Sequence, residues 1–262
     1  MTQSGPVDLV ERQRNHFNQI ADRYRVGRST ANHLFLKELL WATAFGDITR
    51  FRGKSIDVLE PMCGFADGML IAQRYLSDKT NYTGYDYSDE VIKSLKEEGL
   101  SNVWQADATV YEPPEAAYDA IILFGGLHHT PDHASVIVDR CARSLKRGGL
   151  FINFEPTFGN TLFKTVREWI YNRNSLFDAV TERQFGVEEL LDKFRNAGLT
   201  PVKVLFPGLV SYVLFYNPDA FPYLNIGGTR LVKMSFQMDR LFFDKAIGRL
   251  LSFATLSVWE RT

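Results

Sequence analysis

Between residues 55 and 154 the chain alternates short apolar runs with segments of helical periodicity. No other feature of the sequence constrains the fold as strongly. The runs at 55–60, 82–86, 103–106, 120–124 and 150–154 have the length and composition of strands buried on both faces. Over 88–99, Ser88 is placed to cap a helix, and Asp89 and Glu90 occupy its first turn. Val91, Ile92 and Leu95 make one apolar face and Gly99 ends the segment. Over 130–147, Thr130 stands as a cap with Pro131 at the first helical position. Ile137, Cys141 and Leu145 point inward there, and Gly148 and Gly149 form the stop. Strands alternating with helices at this spacing imply right-handed βαβ units, hence a doubly wound parallel sheet with both faces covered.

The last third is patterned differently. Segments 161–173 and 187–197 read as helices, and 200–206 and 254–260 as strands that pair antiparallel. The connection between those strands is too long and too apolar for a hairpin loop. It holds Tyr212, Phe215, Tyr216, Phe221, Tyr223, Phe236, Phe242 and Phe243, and reads as an inserted helical cap over 208–252. Residues 1–50 look helical and form a second piece of that cap. The expected organisation is therefore a cap segment at 1–50, an α/β core at 51–207, the inserted cap, and a final core strand at 253–262.

Composition narrows the class. With 262 residues and 45% apolar side chains, a sizeable core is within reach. A net charge of −1 gives no global field to recruit nucleic acid or an anionic surface. Cys63 and Cys141 make no disulfide framework and no zinc spacing, so no metal is expected. The N-terminus lacks a signal-peptide core, and the longest apolar run, 209–216, is too short to cross a bilayer. These features point to a soluble, cytoplasmic protein.

The loop after the first strand reads Glu60-Pro-Met-Cys-Gly-Phe-Ala-Asp-Gly68. In an open parallel sheet, ligands bind beyond the carboxyl ends of the strands, at the switch point. Gly64 allows a sharp turn and close backbone approach. Asp86 ends the second strand 22 residues later, at the distance where an acid accepts from ribose hydroxyls. Asp107 follows the third strand, where a carboxylate accepts from an adenine amino group while the Ala108 N–H meets a ring nitrogen. A dinucleotide needs GxGxxG to seat its pyrophosphate, and that pattern is absent. Asp67 at the helix start would repel a phosphate, which disfavours an NAD-dependent oxidoreductase. An uncharged nucleoside with a zwitterionic tail fits better, and S-adenosyl-L-methionine has that make-up. Met62 and Ala66 stand where such loops often hold glycine, and ordinary φ angles at both are expected to keep the turn.

With these residues assembled, the sequence resembles the class I S-adenosylmethionine-dependent methyltransferases, small-molecule branch. "VLEPMCGFADG", "YTGYDYSDEVI" and "QADAT" are similar to the family's first three motifs, and "YDAIILFGGLHHTPD" and "LKRGGLFINFEP" to the fourth and fifth. "HFNQIADRYRVGR" is similar to the helix that closes over the cofactor. The resemblance implies a Rossmann-like, mostly parallel seven-stranded sheet with an antiparallel last strand. It implies cofactor contacts from Glu60, Pro61, Gly64, Asp86, Tyr87, Asp107, Ala108, Phe124 and Gly125. It also implies that Tyr24 and Arg28 hold the methionine carboxylate. By the same analogy the loop after the fourth strand faces the methyl group. His128 is then the candidate base, and His129 a second candidate that also packs against the cofactor. Glu155 at the fifth strand end either meets substrate or serves structure.

The expected reaction is methylation at oxygen, nitrogen or carbon of a small acceptor, apolar or lipid-linked, with part of the aromatic cap lining its pocket. "LFGGLHH" lacks the Asn/Asp-Pro-Pro-aromatic pattern of enzymes that methylate base amino groups, and no basic stripe is present, so nucleic acid is not an expected partner. A homodimer through the apolar cap, a binding protein that has lost turnover, and a peripheral membrane protein docking through that cap are the remaining alternatives.

Overall fold

The five apolar runs become strands of one sheet, and the spacers between them become its covering helices. The computed structural model describes residues 6–171, 183–218 and 220–262. The chain opens with two helices, α1 (Pro6–Gly27) and α2 (Ala31–Phe45). Strand β1 (Ser55–Pro61) then leads through a loop into a short helix α3 (Asp67–Ile71), which continues as a wider turn to Leu76. β2 (Lys79–Asp86), α4 (Asp89–Glu97), β3 (Val103–Gln105), β4 (Tyr118–Phe124), α5 (Ala134–Ser144) and β5 (Leu145–Phe158) succeed it. α6 (Thr161–Tyr171), β6 (Phe185–Gly186), α7 (Val187–Asn196) and β7 (Leu199–Leu205) come next. The chain ends with α8 (Val210–Phe215), α9 (Thr229–Arg240), α10 (Ala246–Leu251) and β8 (Ala254–Arg261).

The strand order is β3-β2-β1-β4-β5-β8-β7, with the two-residue β6 added on β5. β1 pairs in parallel with β2 from Ser55–Lys79 to Pro61–Tyr85 and with β4 at Val58–Ala120 and Leu59–Ile121. β8 runs antiparallel to both β5 and β7. The order therefore reverses between β1 and β4, and the tips of those strands flank the switch point where open α/β sheets bind ligands. The seven expected strands are present in the expected sense, and β6 is an eighth.

Two hydrophobic layers sandwich the sheet. One gathers Leu36, Leu40, Trp41 and Phe45 of α2 with Val91, Ile92 and Leu95 of α4 and with Tyr212, Phe215 and Phe236. The other gathers Ile137, Val138 and Cys141 of α5 with Leu190, Leu191 and Phe194 of α7. α4 begins as its sequence implies, with the Ser88 hydroxyl accepting from Val91 N–H at 3.2 Å. α5 does not. It starts at Ala134, three residues later than the Pro131 start, because the chain from Leu127 to His129 first makes a tight 3₁₀ turn. Thr130 is therefore no helix cap, and its hydroxyl is buried without a partner. β5 runs at both ends beyond 150–154 because it has partners there: Leu145 pairs with Tyr118, and Pro156 with Ala254. Three helices occupy the stretch between β7 and β8. Among the described residues, no helix is long and apolar enough to cross a membrane.

Candidate functional site

The loop leaving β1 turns by alternating left-handed residues. Met62, Gly64 and Ala66 have φ of 53°, 49° and 60°. The expectation of ordinary φ at Met62 and Ala66 is overturned, since both hold a conformation natural to glycine. Tertiary hydrogen bonds impose it. Cys63 N–H donates to Tyr85 O at 3.0 Å, Ala66 N–H to Cys63 O at 2.8 Å, and Gly64 N–H to the Asp86 carboxylate at 3.0 Å. Met62 also packs against Gly126, where an added Cβ would stand 2.8 Å from the Met62 sulfur. The strain costs about 1–2 kcal/mol per residue. Replacing Ala66 with glycine should relieve it, offset by about 0.4–1 kcal/mol of extra unfolded-state freedom. The net expectation is a stability change between zero and a gain of about 1.6 kcal/mol, read from urea midpoints. A clear loss would show that the loop is not strained.

Glu60 is 2% exposed and faces into the protein. Its carboxyl accepts from Gly68 N–H at 2.9 Å and from the Tyr82 hydroxyl at 2.5 Å. A Cβ on Gly68 would lie 2.6 Å from the Glu60 carboxyl carbon, so any side chain there would displace that carboxyl. Glu60 thus shapes the loop from beneath rather than presenting its carboxylate to the cleft. Burial pushes the carboxyl from 4.5 up to about 8, against the opposing pull of the Tyr82 and Gly68 hydrogen bonds. A raised acid favours folding while it is protonated. That stability is full below the ordinary glutamate range and is lost as pH rises through about 8. Glu60→Gln should flatten this decline in urea midpoints measured across that window, and an unchanged slope would assign the decline to other groups.

Asp86 is also buried, 4% exposed. One oxygen accepts from Gly64 N–H and the other from Ser88 N–H, each at 3.0 Å. Burial raises its pKa, countered by those N–H donors and by the neighbouring His129. Next to it, a Cβ on Gly64 would meet nothing within 4 Å, so the backbone there borders open space. The β3 tip lies alongside, with Ala106 N–H donating to Asp86 O at 2.9 Å. Asp107 accepts from Thr109 N–H at 2.8 Å and so shapes its own turn, and Ala108 is buried behind it. Tyr87 is half-buried, and its carbonyl accepts from Gln105 at 3.1 Å. The fold therefore brings Gly64, Asp86, Asp107 and their neighbours to adjoining strand tips. Pro61 is the last residue of β1. The carboxylates fit ribose hydroxyls and an exocyclic amine. Lys37 pairs with Asp67 at 2.5 Å, so the acid at the start of α3 is matched by a cation.

Beyond β4 the chain turns at Gly125, φ 62°, whose N–H donates to Phe154 O at 2.8 Å. Glu155 organises the next three residues. It is 1% exposed and accepts from Gly126 N–H at 3.0 Å and Leu127 N–H at 2.9 Å. Its other oxygen sits 2.9 Å from His128 Nδ1 and 3.4 Å from His128 N–H. With both oxygens taking backbone N–H groups, the imidazole donates from Nδ1, which leaves Nε2 as the acceptor. The rings of His128 and His129 lie 4.0 Å apart. Gln13 of α1 meets His129 Nδ1 at 2.6 Å, and Asn18 of α1 accepts from the Ser88 hydroxyl at 2.5 Å. Arg25 pairs with Glu98 of α4. α1 is thus strapped across the tips of β2 and β4. Gln13 and Asn18 carry no motif and escape a reading of the sequence.

Arg28 donates to Asn217 at 3.0 Å and lies over the Tyr216 ring at 5.6 Å, so it engages the inserted cap. The Tyr24 side chain lies outside the described residues. Around Arg28 the aromatics interlock. Trp41 stacks on Phe124 at 5.0 Å, Phe154 meets Tyr216 edge-on at 5.4 Å, and Tyr212 stacks on Tyr216 at 4.7 Å. His33 of α2 abuts Tyr216 at 5.2 Å. Burial, with Arg28 and Lys37 nearby, pushes its pKa down to about 2. The histidine is therefore neutral, and the cluster offers aromatic faces and one guanidinium beside the β4 tip. Burial raises both cysteine thiols, Cys141 to about 12, which suits inert packing.

Sequence comparison matches residues 58–149 to the methyltransferase domain family. The demethylmenaquinone methyltransferase of Listeria welshimeri is 25% identical over 180 residues, covering 58% of this chain and 73% of that protein. The one from Anoxybacillus flavithermus is 24% identical and covers 80% of this chain and 97% of its own. Among solved structures, a SAM-dependent methyltransferase of Thermotoga maritima superposes with a TM-score of 0.61 at 15% identity, over 95% of this chain and all of that one. A cyclopropane synthase of Mycobacterium tuberculosis gives 0.59 at 14% identity, over 86% and 84%. Residues 58–149 thus match a methyltransferase domain, and the sheet with its covering helices has the fold of the solved S-adenosylmethionine-dependent methyltransferases that the chain resembles.

Proposed function

We propose that this protein transfers a methyl group from S-adenosylmethionine to a small, lipid-linked acceptor, with His128 taking the acceptor's proton. The observation that carries the reading is the Glu155–His128 pair, 2.9 Å apart, held at the β4 tip across the switch point from Asp86 and Gly64. Asp86, Asp107 and the Ala108 N–H are assigned to the cofactor's sugar and base, and the Gly125 turn to its amino-acid end. Bound there, S-adenosylmethionine supplies an activated methyl on a sulfonium. The residues of this chain orient the partners and exclude water, the main protein contribution when a cofactor carries the driving force. His128 Nε2 accepts the proton that leaves the acceptor as it gains the methyl, and later returns it to solvent. The aromatic faces of Phe124, Trp41, Phe154 and Tyr216 favour an apolar acceptor. The two bacterial relatives are named for demethylmenaquinone, and that name supports a lipid-linked ring compound as the acceptor class. The strained loop argues against a protein that has abandoned its cofactor, because the glycine-like turn persists despite Met62 and Ala66.

The test uses tritium-labelled S-adenosylmethionine with demethylmenaquinone and with a bacterial lipid extract. Label moving into the organic phase is expected. Titration calorimetry with S-adenosylhomocysteine runs alongside. Binding without transfer would favour a non-catalytic role, and no binding would sink the cofactor assignment.

A further inference from the structure

Helix α9 has three sides where a covering helix normally has two. Val232, Ser235, Phe236 and Asp239 are buried. Met234, Met238 and Leu241 are 62%, 67% and 68% exposed, and their i, i+4, i+7 spacing sets them in one outward stripe. Beside that stripe lie Arg230, Lys233 and Arg240, all exposed. Among the described residues, none of the three meets a side-chain partner. The apolar surface continues past the helix into Phe242, Ile247 and Leu250, 41%, 49% and 50% exposed. α10 packs directly on the Phe242 turn, since a Cβ on Gly248 would lie 1.8 Å from Phe242 O. An open groove of about 450 Å³ runs between α9 and α2, with Lys233 and Arg240 among its lining residues.

We propose that this face docks onto an anionic phospholipid surface. Large apolar side chains gathered outward on one face mark an interaction site, and the charge beside them selects the occupant. Residues 220–253 hold five basic side chains against two acids. One acid, Asp239, is buried against Ser211, and the other, Asp244, pairs with Lys245. A second copy would meet this face with the same cations, so self-pairing is opposed by like charge. Apolar residues beside unpaired cations suit a bilayer interface, where the former enter the acyl boundary and the latter meet phosphate headgroups. The placement suits the site as well. Asp239 ties α9 to α8 through Ser211 at 2.6 Å, and α8 carries Tyr212 over the aromatic cluster. A bilayer on α9 would lie on the outer side of that cluster, which the methyl-transfer reading assigns to the acceptor.

The proposal extends the methyl-transfer reading but is tested apart from it. Vesicle binding is measured with neither cofactor nor acceptor, so its failure leaves that reading standing. The experiment is co-sedimentation with vesicles of equimolar phosphatidylcholine and phosphatidylglycerol, against vesicles of phosphatidylcholine alone. Pelleting with the anionic vesicles, weakened by salt, is expected. Met238→Glu/Leu241→Glu should lower the partition by at least about tenfold. Lys233→Gln/Arg240→Gln should lower it about fivefold per charge removed. All four positions are on the surface, and unchanged circular dichroism and S-adenosylhomocysteine affinity confirm that the variants fold. Absence of pelleting, indifference to phosphatidylglycerol, or wild-type pelleting by both variants would overturn the proposal. So would a concentration-dependent dimer, without vesicle binding, that the Met238→Glu/Leu241→Glu variant dissolves.

Discussion

The Glu155→Gln variant will transfer methyl about 10²- to 10⁴-fold more slowly than the wild type, the usual contribution of a positioned base, with its S-adenosylhomocysteine affinity unchanged. Glutamine keeps one carbonyl oxygen for the Gly126 and Leu127 N–H groups and gives up only the long 3.4 Å bond from His128 N–H, so the β4 tip keeps its two shorter backbone bonds. The group facing His128 Nδ1 is the one that changes. A carboxylate oxygen accepts there, whereas a glutamine amide nitrogen donates. The imidazole must then carry its proton on Nε2, the atom that has to be free. A ring in the wrong tautomer is held in place but cannot take a proton. Two readouts separate this from a merely structural role. Imidazole ¹⁵N shifts should report Nδ1–H in the wild type and Nε2–H in the variant. The Glu155→Gln/His128→Ala double variant should be no slower than His128→Ala alone, because groups acting as one unit are not additive. Full activity in Glu155→Gln would reduce Glu155 to a clasp for the loop. Glu155→Ala is the poorer probe, since it strands buried N–H groups at about 1–3 kcal/mol each and threatens the fold.

The Glu155 clasp also marks where sequence reading ends. Strands β1 to β5 are legible because a parallel strand buried on both faces leaves an apolar run, and α4 because its cap, first-turn acids and apolar face all agree. Gly64 and Asp86 are legible for a related reason. Each lies at the end of a strand, so their separation in sequence reports their meeting at one edge. Glu155 also ends a legible run, but its grip on the 126–128 backbone depends on how β4 and β5 turn over the sheet. Gln13 reaches His129 across 116 residues, which no periodicity encodes. Arg28 engages the cap because Tyr216 and Asn217, just past α8, supply a ring and an amide within reach of its guanidinium, and they sit in an insertion without a motif. The φ angles of Met62 and Ala66 result from hydrogen bonds to Tyr85, Cys63 and Asp86. Those tertiary contacts override local preference, and the side chains at 62 and 66 give no sign of it.

Asp86→Ala will weaken S-adenosylhomocysteine binding by about 1–3 kcal/mol, roughly 5- to 150-fold, the loss expected when a charged hydrogen-bond acceptor disappears. The same change strands the Gly64 and Ser88 N–H groups, so it also loosens the first loop and the start of α4. Loop damage alone could then imitate a lost contact. Asp86→Asn separates the two effects, because an amide oxygen still serves one backbone donor while the negative charge is gone. If the carboxylate grips two hydroxyls, the asparagine variant should lose most of the affinity with little loss of urea stability. The pH dependence gives an independent check. Burial raises the Asp86 pKa, so the site takes up a proton at a higher pH than an ordinary aspartate does. A protonated carboxyl accepts poorly from hydroxyls, and wild-type affinity must fall as the solution is acidified through that raised value. The group's own contribution to folding runs the other way. It is full below the ordinary aspartate pKa and is lost as pH rises through the raised one. Ligand affinity and protein stability should therefore move in opposite directions over the same interval, and in Asp86→Asn the affinity trend should vanish while the stability trend shrinks to the part that Glu60 supplies. A wild-type affinity that ignores pH would remove Asp86 from the sugar-binding role and leave it as the latch between the first loop and α4.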